Sequence, residues 1–213
     1  MDNEDSSAAL SSELVLPGRV SEPLRIHLAP PNALGASTLE HWGISHLLVI
    51  ACEGPLPSVV TSFVGQIARV PIVDDLHAPL HEHLGTAAAF MDEAIASAGR
   101  CLVCGDGDSA PPAVVAFYLM RYHSLRLSEA LSVVRTARPR AQPNVGFWQR
   151  LVEAESWLVS ESPPSMSIQQ FRWGFLERCQ PEATNREHIL SHLETAQAEV
   201  QALLHRHDFT PVT

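Results

Sequence analysis

The sequence predicts an α/β fold, a mostly parallel sheet of four or five strands with helices on both faces, and three observations predict it. Short, nearly continuous apolar runs lie at residues 46–52 (HLLVIAC), 70–73 (VPIV) and 100–103 (RCLV), the first bounded by Gly43 and the Gly54-Pro55 turn. Such runs mark strands buried on both faces. Between the last two runs, Leu80, Leu84, Ala88, Met91 and Ile95 recur every three or four residues, so a helix joins two strands by a right-handed crossover. The third run then passes through a glycine-containing loop at 104–110 into a helix opened by Pro111 and Pro112.

Each element has its own reason. Residues 1–22 are acidic and polar without periodicity, which predicts a disordered arm with too little apolar surface to offset its ordering. The domain follows over 23–159. Its first crossover helix ends at Gly99, a residue suited to a helix terminus. Pro111 and Pro112 are tolerated because a first helical turn has donors without partners. A further helix is expected from Ser128 to about Thr136, with Leu131 and Val134 on its apolar face. A last one follows Pro143 and Asn144 and carries Phe147, Leu151 and Trp157. Residues 160–183 read as a linker with an aromatic patch of Phe171, Trp173 and Phe175 that either docks a partner or folds over the domain's own edge. Residues 184–208 form an amphipathic helix, with Ile189, Leu193, Val200 and Leu204 on one side over 184–206. That face is covered in cis, by a partner or by a second copy.

Bulk properties restrict the function. The 213 residues, 46% of them hydrophobic, suffice for one core with tails. A net charge of -10 argues against nucleic acid or an anionic membrane surface as partner. The first residues lack the basic start of a signal peptide and no apolar stretch reaches spanning length, so a cytoplasmic or nuclear location is expected. There Cys52, Cys101, Cys104 and Cys179 would be reduced thiols. No cofactor or metal is indicated: His77, His81 and His83 lack a second ligand group of fitting spacing. Cys101 and Cys104 have redox-motif spacing but should point to opposite faces of their strand.

A buried strand, a cysteine, a glycine-containing turn and a helix start make a place where an oxyanion can be held. Main-chain N–H groups converge there, and the helix end favours both a phosphate and a thiolate. Several separated pieces add to this: Gly43-Ile-Ser-His-Leu-Leu-Val49, Pro71-Ile-Val-Asp-Asp75, Ala116-Phe-Tyr-Leu-Met-Arg121, Arg138-Pro139, and Pro143-Asn144 followed by Phe147. Together, in this order, they resemble the small atypical dual-specificity phosphatases of the protein-tyrosine-phosphatase superfamily, from about Leu24 to Glu155. The resemblance implies that family's three-layer fold, with Cys104 at the nucleophile position and Asp74, or in the neighbouring register Asp75, at the general-acid position. It makes Gly105, Asp106, Gly107, Asp108, Ser109 and Ala110 the substrate-binding loop.

The loop departs from the family's pattern of Cys, five residues, Arg, then Ser or Thr. Ala110 stands in the arginine position, Pro111 in the hydroxyl position, and Val103 where a histidine usually precedes the nucleophile. The arginine would grip two phosphoryl oxygens in a fork that a methyl group cannot imitate. Asp106 and Asp108 would repel an incoming phosphate by about 2 kcal/mol per charge pair at about 8 Å. The two prolines should hold Ala110 in extended geometry. Asp74 itself reads either as a general acid or, more simply, as a helix cap.

These features predict a pseudophosphatase, a catalytically inactive protein-binding or regulatory module in phospho-signalling. Its partners would be proteins such as a kinase, a phosphatase or a phosphatase substrate, and residues 184–206 could form a homodimer. The alternative is a weakly active protein phosphatase using Cys104 and Asp74. A phosphopeptide trap fits less well, because a trap would keep the arginine and lose the cysteine.

Overall fold

The computed structural model describes residues 12–13, 24–31, 34–51, 58–105, 107–158 and 164–166. The chain divides into two compact units, Met1–Ser167 and Ile168–Thr213, and all described residues belong to the first. The expected aromatic patch, the expected C-terminal amphipathic helix and most of the N-terminal arm lie outside the described residues.

Among the described residues, five strands form one sheet: β1 (Ser12–Glu13), β2 (Ile26–Ala29), β3 (His46–Ile50), β4 (Gln66–Val70) and β5 (Cys101–Gly105), in the order β1-β2-β5-β3-β4. The four long strands run parallel, and only β1 is antiparallel to its neighbour. The predicted fold class is therefore the observed one. Burial follows position: β2, β3 and β5 are buried at every residue, whereas edge strand β4 is buried only at Val70.

Two expectations about strands need correction. Ser12 pairs with Leu28 and Glu13 with His27, so the arm expected to be wholly disordered contributes a strand to the sheet edge. Residues 70–73 are not a strand. The strand instead occupies 66–70 and stops where Pro71, which has no N–H to donate, would enter the ladder. An exposed edge strand carries little of the apolar run by which buried strands are recognised.

The two faces of the sheet are covered unequally. On one, the short helices α1 (Ala36–His41) and α2 (Ser58–Thr61) bring Leu39 and Val60 against Leu47, Val49, Leu102 and Cys104. On the other lie α3 (Leu80–Ala96), α4 (Ala110–His123), α5 (Leu127–Ala137) and α6 (Val145–Leu158). Helix α4 is buried from Ala110 through Met120 because α3, α5 and α6 surround it above β5. A helix apolar on all sides has no other stable place.

The domain reaches beyond its expected end at 159. Ser165 donates its N–H to Glu155 Oε2 at 2.8 Å, and its hydroxyl accepts the N–H of Ser128 at 3.0 Å. Glu155 also accepts from Arg126 Nε at 2.7 Å and from the Leu127 N–H at 3.0 Å. Part of the expected linker is thus fixed to the start of α5.

Candidate functional site

The site is built at the carboxyl end of the central strand. Cys104 lies opposite Ala29 on β2 and Val49 on β3, and its side chain is fully buried on the α1 side of the sheet. Cys101 is buried on the opposite face, beneath α4, where loss of hydration pushes its thiol up to about 12. The strand pleat separates the two thiols.

After Cys104 the backbone turns in very little space. A Cβ on Gly105 would stand 2.1 Å from the carbonyl oxygen of Ile50 and 2.7 Å from Pro111 Cγ, so only glycine fits. Gly107 has φ +75, the left-handed region that glycine adopts without penalty. Ser109 precedes α4, accepts the Ala113 N–H on its carbonyl at 3.1 Å, and accepts the Asn144 N–H on its buried hydroxyl at 2.9 Å. Asp106 lies outside the described residues.

Ala110 is the first residue of α4, so the expectation of extended geometry there is overturned. Both prolines fit into the first turn, whose N–H groups have no intrahelical acceptor, and burial of α4 outweighs the preference of a residue before proline for extended angles. Their effect on the site is different and larger. A helix N-terminus attracts an anion through its unpaired N–H groups, and at the second and third positions of α4 there is no N–H.

The carboxylates near the loop play unequal parts. Asp74 accepts from Asn144 Nδ2 on Oδ1 at 2.7 Å, and its Oδ2 lies 3.6 Å from where a Cβ on Gly107 would stand. It therefore sits over the loop and caps no helix, contrary to the simpler reading of the acidic pair. Asp75 folds back instead, its Oδ1 accepting the His77 N–H at 2.8 Å in a local turn. Geometry thus selects Asp74 over Asp75 as the residue facing the loop.

Asp108 corrects the expectation of an unopposed repulsive charge. Its Oδ1 meets Arg138 Nε at 2.6 Å and its Oδ2 meets Arg140 Nε at 3.3 Å. Arg138 Nη2 also donates to the Gly107 carbonyl at 3.1 Å, and the Asp108 carbonyl accepts the Gln142 N–H at 2.6 Å. The whole connection between α5 and α6 is a brace for the loop, through Arg138, Arg140, Gln142 and Asn144. Sequence reasoning found Arg138 and Asn144 only as pieces of a family pattern and missed Arg140 and Gln142. Nothing local in the sequence signals a bond across thirty residues.

Known proteins share this architecture. A family model described as dual specificity phosphatase, catalytic domain, matches residues 28–157. Dual specificity phosphatase 28 of Homo sapiens is 41% identical over 106 residues, which are 47% of this chain and 60% of that protein. Dual specificity protein phosphatase 14 of Mus musculus is 35% identical over 135 residues, 62% of this chain and 68% of that protein. The crystal structure of human dual specificity phosphatase 28 matches with a TM-score of 0.59 at 33% identity, covering 65% of this chain and 96% of that one. The chain spans about 60% of the length of the first curated relative it matches.

Proposed function

Because the chain belongs to the family of dual specificity phosphatase catalytic domains, we propose that it is a non-catalytic member, a pseudophosphatase that serves as a protein-binding or regulatory module in phospho-signalling. The observation that carries this reading is the start of α4: Ala110, fully buried, stands where the family resemblance expects the phosphate-gripping arginine, and Pro111 and Pro112 follow it. The charge fork is absent, and so are two of the N–H donors a helix terminus would offer. Losing one preorganised donor of the transition state costs roughly 3–4 kcal/mol, a rate loss of about two to three orders of magnitude. A charged, bidentate donor is worth more.

Two further observations support the same reading. Cys104 has no exposed surface, and a nucleophile must reach its substrate. No hydroxyl at position 111 can stabilise a departing thiolate. The partners in this proposal are proteins, such as a kinase, a phosphatase or a phosphatase substrate, met in the cytoplasm or nucleus.

One observation favours the second reading, a weakly active phosphatase: Asp74 lies over the loop that begins at Cys104. Both readings meet in one assay. Purified protein is expected to turn over a generic aryl phosphate no faster than its Cys104→Ser variant. Turnover that Cys104→Ser abolishes would establish the enzyme and end the pseudophosphatase reading. The double substitution Ala110→Arg with Pro111→Ser is expected to raise activity above that of the native chain only if the loop retains its shape.

A further inference from the structure

We propose that the open edge of β4 receives the same strand of a second copy, so that two chains join their sheets antiparallel about a two-fold axis at Ile67. Among the described residues β4 pairs with β3 on one side and with nothing on the other. Gln66 donates its N–H to the Ser45 carbonyl, and the Val70 carbonyl accepts the Ala51 N–H. Successive peptide groups of a strand point to opposite sides, so the main-chain groups of Ile67 and Arg69 face outward. Such a row is a template for a further strand. The surface beside it is apolar: Val64 is 97% exposed and Ile67 41%.

Charge complementarity selects a second copy as the occupant. Ile67 and Arg69 are in register with Leu47 and Val49 of β3, and so face the α1 side of the sheet. On that side Leu39, Glu40, Ile44, Phe63 and Val64 line a groove. Glu40 and Arg69 are both exposed, and neither forms an ion pair among the described residues. With Ile67 against Ile67 across the axis, Arg69 of each copy stands opposite Gly65 of the other, on the face where Glu40 lines the groove. One operation thus creates two equal ion pairs, as a self-complementary interface requires. A register centred on Ala68 would instead make the two Arg69 side chains diagonal neighbours and set Pro71, which has no N–H, opposite Gly65. A charge on an edge strand deters pairing with most strands, whereas this patch carries its own countercharge. The interface uses neither the loop at 104–110 nor residues 184–206, and it holds whether or not the chain turns over a phosphate.

Sedimentation velocity of the full chain tests it, at concentrations reaching about 100 μM. A reversible dimer is expected. Arg69→Glu and Glu40→Arg should each raise its dissociation constant by about tenfold, because each alters two symmetry-related pairs. The two substitutions combined should bring the constant back toward the native value. In oxidised glutathione, Ile67→Cys should form a covalent dimer above the level of the native chain, since directly opposed, hydrogen-bonded residues lie about 5.5 Å apart at Cα, within disulfide reach. Gln66→Cys, which would face Ala68 of the second copy, should not. A monomer at every concentration would overturn the proposal and leave the edge to a strand of another protein. A dimer indifferent to both charge reversals, or crosslinking of Gln66→Cys as complete as that of Ile67→Cys, would place the interface elsewhere and overturn it equally. If a charge variant fails to fold, the two cysteine variants decide by the same outcomes.

Discussion

Single side chains decide how tightly the loop is built. Gly105 has no room for one carbon, since its Cβ would overlap a main-chain oxygen of β3 that cannot move without distorting the sheet. Gly105→Ala is expected to cost about 1–3 kcal/mol or more, as overpacking does, measured as a lower denaturant midpoint at an unchanged slope. Cys101 and Cys104 are both without exposed surface. Neither should react with a thiol reagent such as a maleimide at pH 8 until the domain unfolds; reaction of Cys104 at the rate of a free thiol would contradict its burial and weaken the non-catalytic reading with it. For Cys101 the raised thiol makes the same prediction a second time, because the reactive species is the thiolate.

At the scale of elements, the important contacts are made by connections. Glu155, 1% exposed, receives hydrogen bonds from Arg126, Leu127 and Ser165 and so ties α6 to the start of α5 and to residues 164–166. Burial pushes its carboxyl up, but the hydrogen bonds from Arg126, Ser165 and Leu127 together outweigh burial and hold it below the usual value. Glu155→Ala leaves those donors without their acceptor and should lower stability by about 2–3 kcal/mol. Glu155→Gln, which keeps an acceptor, should lose less. Equal losses in the two variants, measured by denaturant unfolding, would place the effect in packing and not in the hydrogen bonds. The brace from 138–144 to the loop works similarly, through four residues that hold 107–109 and Asp74.

For the whole molecule, three shifts among the described residues bear on the pH range of stability, and one of them, the buried Tyr118 hydroxyl raised by lost hydration, acts on the alkaline side with Cys101. Glu155 is depressed in the folded state, so its contribution is present above the ordinary carboxyl value of 4.5 and is lost as pH falls through the lower folded value. Cys101 is raised from 9.0 to about 12, so its contribution is intact below pH 9 and is lost as pH rises through that interval. Midpoints of unfolding measured across pH should fall on both flanks. Glu155→Gln should flatten the acid side, and Cys101→Ala should flatten the alkaline side in part, the buried Tyr118 hydroxyl supplying the rest. The extent of the domain makes a separate prediction: a chain ending at 167 should be more stable than one ending at 159 by about 1–3 kcal/mol, the worth of the two hydrogen bonds made by Ser165.

Some of this was readable along the chain. The runs at 46–52 and 100–103, the spacing of Leu80 to Ile95 and the proline-opened helix state which segments are buried on both faces and which on one, and that requires an α/β sheet. The reading of Ala110 as the family's arginine position is equally drawn from sequence, through the register of the resemblance. Residue type and local spacing determine such features because they depend on neighbours a few positions away. Strand β2 was missed because four residues give no period, and β4 was misplaced because an edge strand need not be apolar. The site's charge balance was decided only by the tertiary structure. Asp108 reads in sequence as a bare repulsive carboxylate and in space as one shared by Arg138 and Arg140, thirty and thirty-two positions on. Asp74 and Asp75 are neighbours in the chain, yet only one faces the loop. Electrostatic interaction depends on distance through space, and the fold alone sets that distance.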